Sequence, residues 1–279
     1  MITYLYLYGI TSPYRINDLR NGQTGRVILK AINWMTLRAN AKERGKTFLS
    51  APAYPKYSFK YLDSKIGLLS VNSLAAEPDA FKGFLDSCFT SLQQGHASKL
   101  IVDLRRNAGG HSQLAQTLLG YITNKPYLMT GGVRWKVSQE YKEQLNKNMN
   151  GRGAEKMGYY FQAVNRSILS DTNINATSSQ RNPLRHTGKL FVLIGAKTFS
   201  SANMMANKIQ DYKLSTLVGE PSGEQTNDYG ELINLTLSNT GFTFSTSTKQ
   251  FIRANGNLKD SKPVLPQHSV MDNPIDCSG

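Results

Sequence analysis

Lys99-Leu-Ile-Val-Asp-Leu-Arg-Arg-Asn-Ala-Gly-Gly110 is the stretch whose reading decides the fold. KLIVDL at 99–104 is a short continuous apolar run, the type buried on both faces of a parallel sheet. It runs into a glycine-rich turn at 105–110, and residues 112–122 then read as a helix. Strand, turn and helix make one βα unit. Upstream, residues 57–62 and 66–71 are rich in β-forming side chains. Residues 77–92 place Phe81, Phe84, Leu85, Cys88, Phe89 and Leu92 on one helical stripe. Downstream the same grammar returns, with a buried strand at 189–196, a helix at 200–211 and a short strand at 215–218. Residues 231–237 and 242–248 then alternate about a short connection, which predicts a hairpin. Strands alternating with helices predict an α/β domain.

The stretch 124–187 is polar and weakly periodic, and reads as a long excursion from this pattern. The first eight residues are strand-like, 9–22 are turn-rich, and 26 to about 44 form a basic helix candidate. Residues 45–56, with two prolines in APAYPK, read as a linker. The domain expectation is therefore a basic N-terminal segment at 1–56 and a catalytic-type domain at 57–279.

Composition narrows the classes further. The 279 residues are 39% hydrophobic and 19% charged, enough apolar material for a sizeable core, which excludes disorder over the whole length. Every apolar run is strand-sized, well short of the roughly 18 residues that cross a bilayer. There are 33 Lys and Arg against 19 Asp and Glu, a net +14 that raises an anionic-polymer reading. Residues 1–60 hold ten basic positions against two acidic ones, so the charge concentrates at the N-terminal end and nucleic acid is not the expected partner. Two cysteines, Cys88 and Cys277, form no CxxC pair, and His96, His111, His186 and His268 lack metal-ligand spacing. Neither a metal nor a cofactor is expected.

Two segments carry chemistry. A strand running into Asn107-Ala-Gly-Gly110 and a helix exposes consecutive N–H groups, which suit an anion or a developing oxyanion and equally suit a tight turn. Lys197-Thr-Phe-Ser-Ser-Ala-Asn203 follows a buried strand and opens a helix. A serine there is held at the sheet edge beside helix-terminal amides, as a nucleophile requires; Ser, Thr and Asn also gather at such positions simply as caps.

Taken together, DLRRNAGG at 103–110, KTFSSAN at 197–203, QDY at 210–212 and LVGEPSG at 217–223 resemble the C-terminal processing, or tail-specific, serine peptidases, whose wider family includes the tricorn core protease. The resemblance extends over about 57–270 and implies a Clp protease/crotonase-like spiral ββα catalytic domain with a small N-terminal remnant, possibly of a PDZ-like or upstream module. It makes Ser200 the nucleophile, since the family's serine-to-aspartate spacing counts back from Asp211 to Ser200 and not to Ser201. The N–H groups of Gly109, Gly110 and Ser201 would form the oxyanion hole, and a β-carbon at Gly110 would block the carbonyl while sparing the fold. Asp211 would be a structural support.

The departure concerns the base. Tail-specific members use a lysine in the loop after the V-G-E-P-T motif, and the matching position here is Gln225, which cannot accept a proton from serine. Tricorn-like members use a histidine from an upstream segment, which would lie before the start of this chain. Within the chain His111 and His268 are the candidate bases. The resemblance implies a serine-type endopeptidase that acts on peptide or unfolded protein through an acyl-enzyme on Ser200. A catalytically impaired peptide-binding protein and an anionic-polymer binder remain the alternatives. A periplasmic or extracellular location follows if a signal peptide precedes the chain.

Overall fold

The computed structural model describes residues 14–20, 23–29, 54–172 and 181–271. The chain divides into two compact units, Met1–Ala53 and Tyr54–Gly279. In the first, β1 (Tyr14–Arg20) pairs antiparallel with β2 (Gln23–Leu29), with Ile16 opposite Val27. This corrects the turn-rich reading of 9–22 and the helix start at Arg26. Arg26-Val-Ile-Leu29 carries two β-branched residues, which favour a paired strand over a helical turn. The rest of the helix candidate and the strand-like first eight residues lie outside the described residues.

In the second unit, β3 (Tyr57–Asp63), β4 (Ile66–Val71), β5 (Lys99–Asp103), β8 (Lys189–Ile194), β9 (Thr216–Gly219) and β12 (His268–Ser269) form one sheet in the order β12-β9-β8-β5-β4-β3. β4 through β12 run parallel, and β3 is added antiparallel at one edge. Against this sheet lie α1 (Pro78–Gln94), α2 (Ser112–Ile122) and α6 (Ser201–Asp211). Leu69, Val71, Leu100, Val102, Val192, Ile194 and Leu217 from the strands meet Phe81, Leu85, Phe89, Leu114, Leu118, Met205 and Ile209 from the helices in one core. The alternate residues Leu68, Ile101, Phe191 and Leu193 are only half-buried. The sheet is thus sealed on one face and partly covered on the other, a correction to the expectation that KLIVDL is buried on both.

The excursion is more ordered than its composition indicates. β6 (Gly132–Lys136), α3 (Gln139–Asn148), the short α4 (Gly153–Lys156) and α5 (Gly158–Gln162), and β7 (Ile168–Asp171) join the hairpin β10 (Asp228–Thr236) and β11 (Thr243–Ile252). The four strands make an antiparallel sheet in the order β10-β11-β6-β7. Trp135, Val137, Tyr141, Leu145, Tyr160 and Ile233 form its own core, with the Lys249 ammonium 3.9 Å from the Trp135 ring centroid. Among the described residues no helix is long and apolar enough to cross a membrane, and no cluster of His, Cys, Asp and Glu could hold a metal ion.

Candidate active site

Parallel strands deliver their following loops to the same edge of a sheet, the carboxyl ends, where α/β folds place their sites. Three loops meet here: Arg105–His111 after β5, Gly195–Ser200 after β8, and Glu220–Asn227 after β9. Thr198 ties them together. Fully buried, its Oγ1 donates to the Leu104 carbonyl at 2.9 Å and accepts from the Gly195 N–H at 3.0 Å, while its carbonyl accepts from the Gly223 N–H at 3.1 Å. Asn107, also fully buried, fixes the turn from the other side. Its Nδ2 donates to the Val71 carbonyl at 2.8 Å, its Oδ1 accepts from the Gly109 N–H at 2.8 Å, and its carbonyl accepts from the Phe199 N–H at 3.0 Å.

Ser200 sits between them with φ 50° and ψ −127°, immediately before the first turn of α6. Serine at positive φ is strained, and such strain gathers where a turn must present a side chain sharply. Within the described residues no hydrogen bond engages its hydroxyl. Ser201 differs in every respect: it is buried, has ordinary helical placement, and its hydroxyl donates to the Gly110 carbonyl at 2.6 Å. The geometry therefore separates the two serines, leaving Ser200 as the available hydroxyl.

Of the three N–H groups expected to receive an oxyanion, that of Gly109 is engaged by Asn107 Oδ1 at 2.8 Å. Gly110 and Ser201 N–H carry no hydrogen bond among the described residues, and Ser201 N lies only 3.0 Å from where a β-carbon on Gly109 would be. Gly109, at φ +101°, lies so close to Ser200 that this β-carbon would stand 2.6 Å from Ser200 Cβ. The expectation that a β-carbon at Gly110 would spare the fold needs correction. At φ +140° it would fall 2.3 Å from the backbone of Leu74, to which the turn is joined by Leu74 N–H to Gly109 O and His111 N–H to Leu74 O. Gly110 is thus a packing requirement as well.

The candidate bases are placed as follows. His111 is exposed at the N-cap of α2, and His268 is exposed in β12 beside Val218. Neither ring makes a hydrogen bond among the described residues. Gln225 is exposed, while its carbonyl accepts from Asn203 Nδ2 at 2.9 Å and its backbone bridges Pro263. Asp211 is buried at the end of α6 and salt-bridged to Arg253, with further hydrogen bonds from Asn207 Nδ2 and the Asn255 N–H. Sequence reasoning missed the neighbour of Gln225. Glu224 Oε2 accepts the Ser200 N–H at 2.5 Å, and burial pushes its carboxyl above the usual carboxylate range. Behind it burial pushes Asp228 up to about 7, with the nearby Glu224 charge adding to the effect, and pushes the wholly buried Lys208 down to about 7. The signal available in the sequence was a carboxylate one position before the place of the family's lysine.

A cleft of about 850 Å³, lined by Lys125, Arg185, Lys189, Lys213 and other residues, opens near the start of β8 and β9. That is the opposite end of the strands from Ser200, so it is no part of this site.

Comparison with known proteins places the chain. No curated protein matches it. Among solved structures it is similar to a Parabacteroides merdae ATCC 43184 protein provisionally named a peptidase, at 17% identity and a TM-score of 0.53, covering 81% of this chain and 62% of that one. It is also similar to mature CPAF complexed with lactacystin, at 14% identity and a TM-score of 0.57, covering 93% and 63%. The photosystem II D1 C-terminal processing protease matches at 13% identity and a TM-score of 0.49, covering 93% and 56%. The chain spans less than two thirds of the length of each of these structures, and at these identities the likeness to the first two speaks for the fold. The sequence pattern of peptidase family S41 matches residues 65–270, nearly the whole second unit, with both glycines of the turn and both serines inside it. This α/β chain, with its parallel sheet and the serine at its carboxyl edge, belongs to peptidase family S41.

Proposed function

We propose that the chain is a serine endopeptidase that hydrolyses peptide bonds in peptides or unfolded protein through an acyl-enzyme on Ser200. One observation carries the reading: Ser200, held at positive φ, stands beside the N–H groups of Gly110 and Ser201, and among the described residues neither its hydroxyl nor those two N–H groups make a hydrogen bond. In this mechanism Ser200 Oγ attacks the scissile carbonyl, and the oxygen that becomes negative is received by those two donors, already fixed by Asn107, Thr198 and Leu74. Departure of the amine leaves an ester on Ser200, which water then hydrolyses. Gly109 gives the carbonyl room.

The test is covalent labelling by a fluorophosphonate followed by peptide mapping. Label is expected on Ser200; Ser200→Ala is expected to abolish it, and Ser201→Ala to keep it. Label on Ser201, or none on a chain that cleaves peptide, would overturn the assignment. Binding of an unstructured peptide without label would favour the impaired, peptide-binding reading.

Gln225→Lys tests whether the loop keeps a lysine-using arrangement. Position 225 is exposed, so the new ammonium would keep an ordinary pKa near 10 and stay protonated at neutral pH. No gain in peptide hydrolysis is expected. A large gain that disappears with Ser200→Ala would show that the side chain turns inward after all.

A further inference from the structure

Ser200 has a titratable neighbour that no part of the resemblance supplies. Glu224 comes from the loop after β9, and its Oε2 reaches the Ser200 N–H at 2.5 Å. In a serine whose Oγ is gauche to its own nitrogen, the two atoms lie about 3 Å apart. Rotation about χ1 alone therefore carries the hydroxyl to within about 3 Å of the nitrogen that the carboxyl already holds. The loop is braced in this place: Ser222 Oγ donates to the Glu224 carbonyl at 3.1 Å, Asn203 Nδ2 holds the next carbonyl, and Asn227 Nδ2 donates to the carbonyls of Asn257, Leu258 and Asp260.

We infer that the Glu224 carboxylate is the proton acceptor for Ser200 Oγ, in the loop where tail-specific members carry a lysine. The inference rests on the peptidase reading given above. The hydroxyl proton passes to Glu224 as the Oγ–C bond forms. Glu224 then returns it to the amine nitrogen as the C–N bond breaks. In the second half a water gives one proton to Glu224 as its oxygen attacks the ester, and that proton goes to Ser200 Oγ as the ester bond breaks. Protons and electron pairs balance, with water the only co-reactant.

A second observation lies behind Glu224. Asp228 Oδ1 and Asn203 Oδ1 are both buried without a hydrogen-bond partner among the described residues, in residues 5% and 1% exposed. Asp228 interacts electrostatically with Glu224 on one side and with Lys208 on the other. Burial and the Glu224 charge both favour the neutral form of Asp228, so Asp228 keeps its proton over a range in which an ordinary carboxyl would be charged. Burial raises Glu224 itself, which narrows the gap between its proton affinity and that of a serine hydroxyl. Lys208 is not the acceptor. It lies eight residues along α6, about 12 Å down the axis from Ser200, and its Nζ donates to the Met204 carbonyl at 2.7 Å.

The ordinary alternative is that Glu224 only caps α6 by accepting an N–H at its N-terminus. Glu224→Gln separates the two, because the amide oxygen can still accept the Ser200 N–H but cannot take a proton. The experiment follows the rate of fluorophosphonate labelling of the full chain at Ser200, between pH 4 and pH 9. The titratable groups that face Glu224 are Asp228 and, through it, Lys208. A base works when deprotonated and its pKa is raised, so the wild-type rate should fall with acid through a midpoint above the ordinary carboxylate value of about 4.3. Glu224→Gln should label at least 100-fold more slowly at neutral pH and lose that limb, with an unchanged melting temperature. Glu224→Asp should be intermediate. Labelling of Glu224→Gln within threefold of wild type would reduce Glu224 to a cap and leave the peptidase reading standing. Should Glu224→Gln not fold, a wild-type profile flat from pH 4 to pH 9 would overturn the inference by itself, and the acid limb would uphold it. A wild-type chain with no label at Ser200 would remove the peptidase reading and the inference with it.

Discussion

Gly109→Ala should silence Ser200 at a modest cost to the fold, whereas Gly110→Ala should cost the fold first. A β-carbon on Gly109 would stand 2.6 Å from Ser200 Cβ and 3.0 Å from both Phe199 O and Ser201 N, at a φ of +101°. Relief requires the turn at 199–201 to shift, and a displacement of about 1 Å at a reacting group costs on the order of 100-fold in rate. The strained backbone adds about 1–3 kcal/mol of destabilisation. At Gly110 the obstacles are Leu74 C, Leu74 O and Ala75 N at 2.3, 2.4 and 2.5 Å, all backbone and unable to swing aside. Labelling rate and melting temperature, measured on both variants, check the contrast. A Gly109→Ala chain that labels at the wild-type rate would mean that Gly109 does not border the reacting centre.

The second large effect lies in a buried ion pair far from the serine. Arg253 and Asp211 are 7% and 3% exposed at their side chains, and Arg253 also reaches Asp260. Two buried charges are tolerable together and costly apart, so Arg253→Ala leaves Asp211 desolvated and unpaired, at about 3–5 kcal/mol. For a unit of this size each kcal/mol moves the melting temperature by roughly 2–4 °C, so a fall of about 10 °C is expected. A thermal melt by circular dichroism tests it. A fall under about 2 °C would show that water already reaches the pair. Arg253 N–H also donates to Asn227 Oδ1 at 2.9 Å, so loosening this corner should loosen the loop that carries Glu224.

How far the sequence alone leads can be seen element by element. Residues 99–104 announced a buried parallel strand because apolar runs of that length have few other uses, and 112–122 matched its helix to the residue because its leucines repeat at helical spacing. Trp135 and Tyr160 were less legible. They are spread through a polar stretch, and the partner that gives β6 its register is β11, with Trp135 opposite Lys249 more than 100 residues away. No local period can report such a pairing. Arg26–Leu29 failed for a related reason: its apolar spacing fits a helix as well as a strand, and pairing with Tyr14–Asn17 decided it. In the site, counting along the chain separated Ser200 from Ser201, and the Ser201–Gly110 hydrogen bond gives that separation a physical cause. Counting could not choose between Gln225 and Glu224. It locates a position in the loop, and which of two adjacent side chains turns toward the serine depends on backbone path.

Thr198 joins the ends of two strands and a loop that are separated by about ninety and twenty-five residues in the chain. During synthesis, where the N-terminal part emerges first, the turn at 109 and the serine at 200 are both present before the loop at 223 exists. A growing chain therefore carries Ser200 before the third wall of the candidate site exists, and the three loops can close around it only after residues 220–227 have followed.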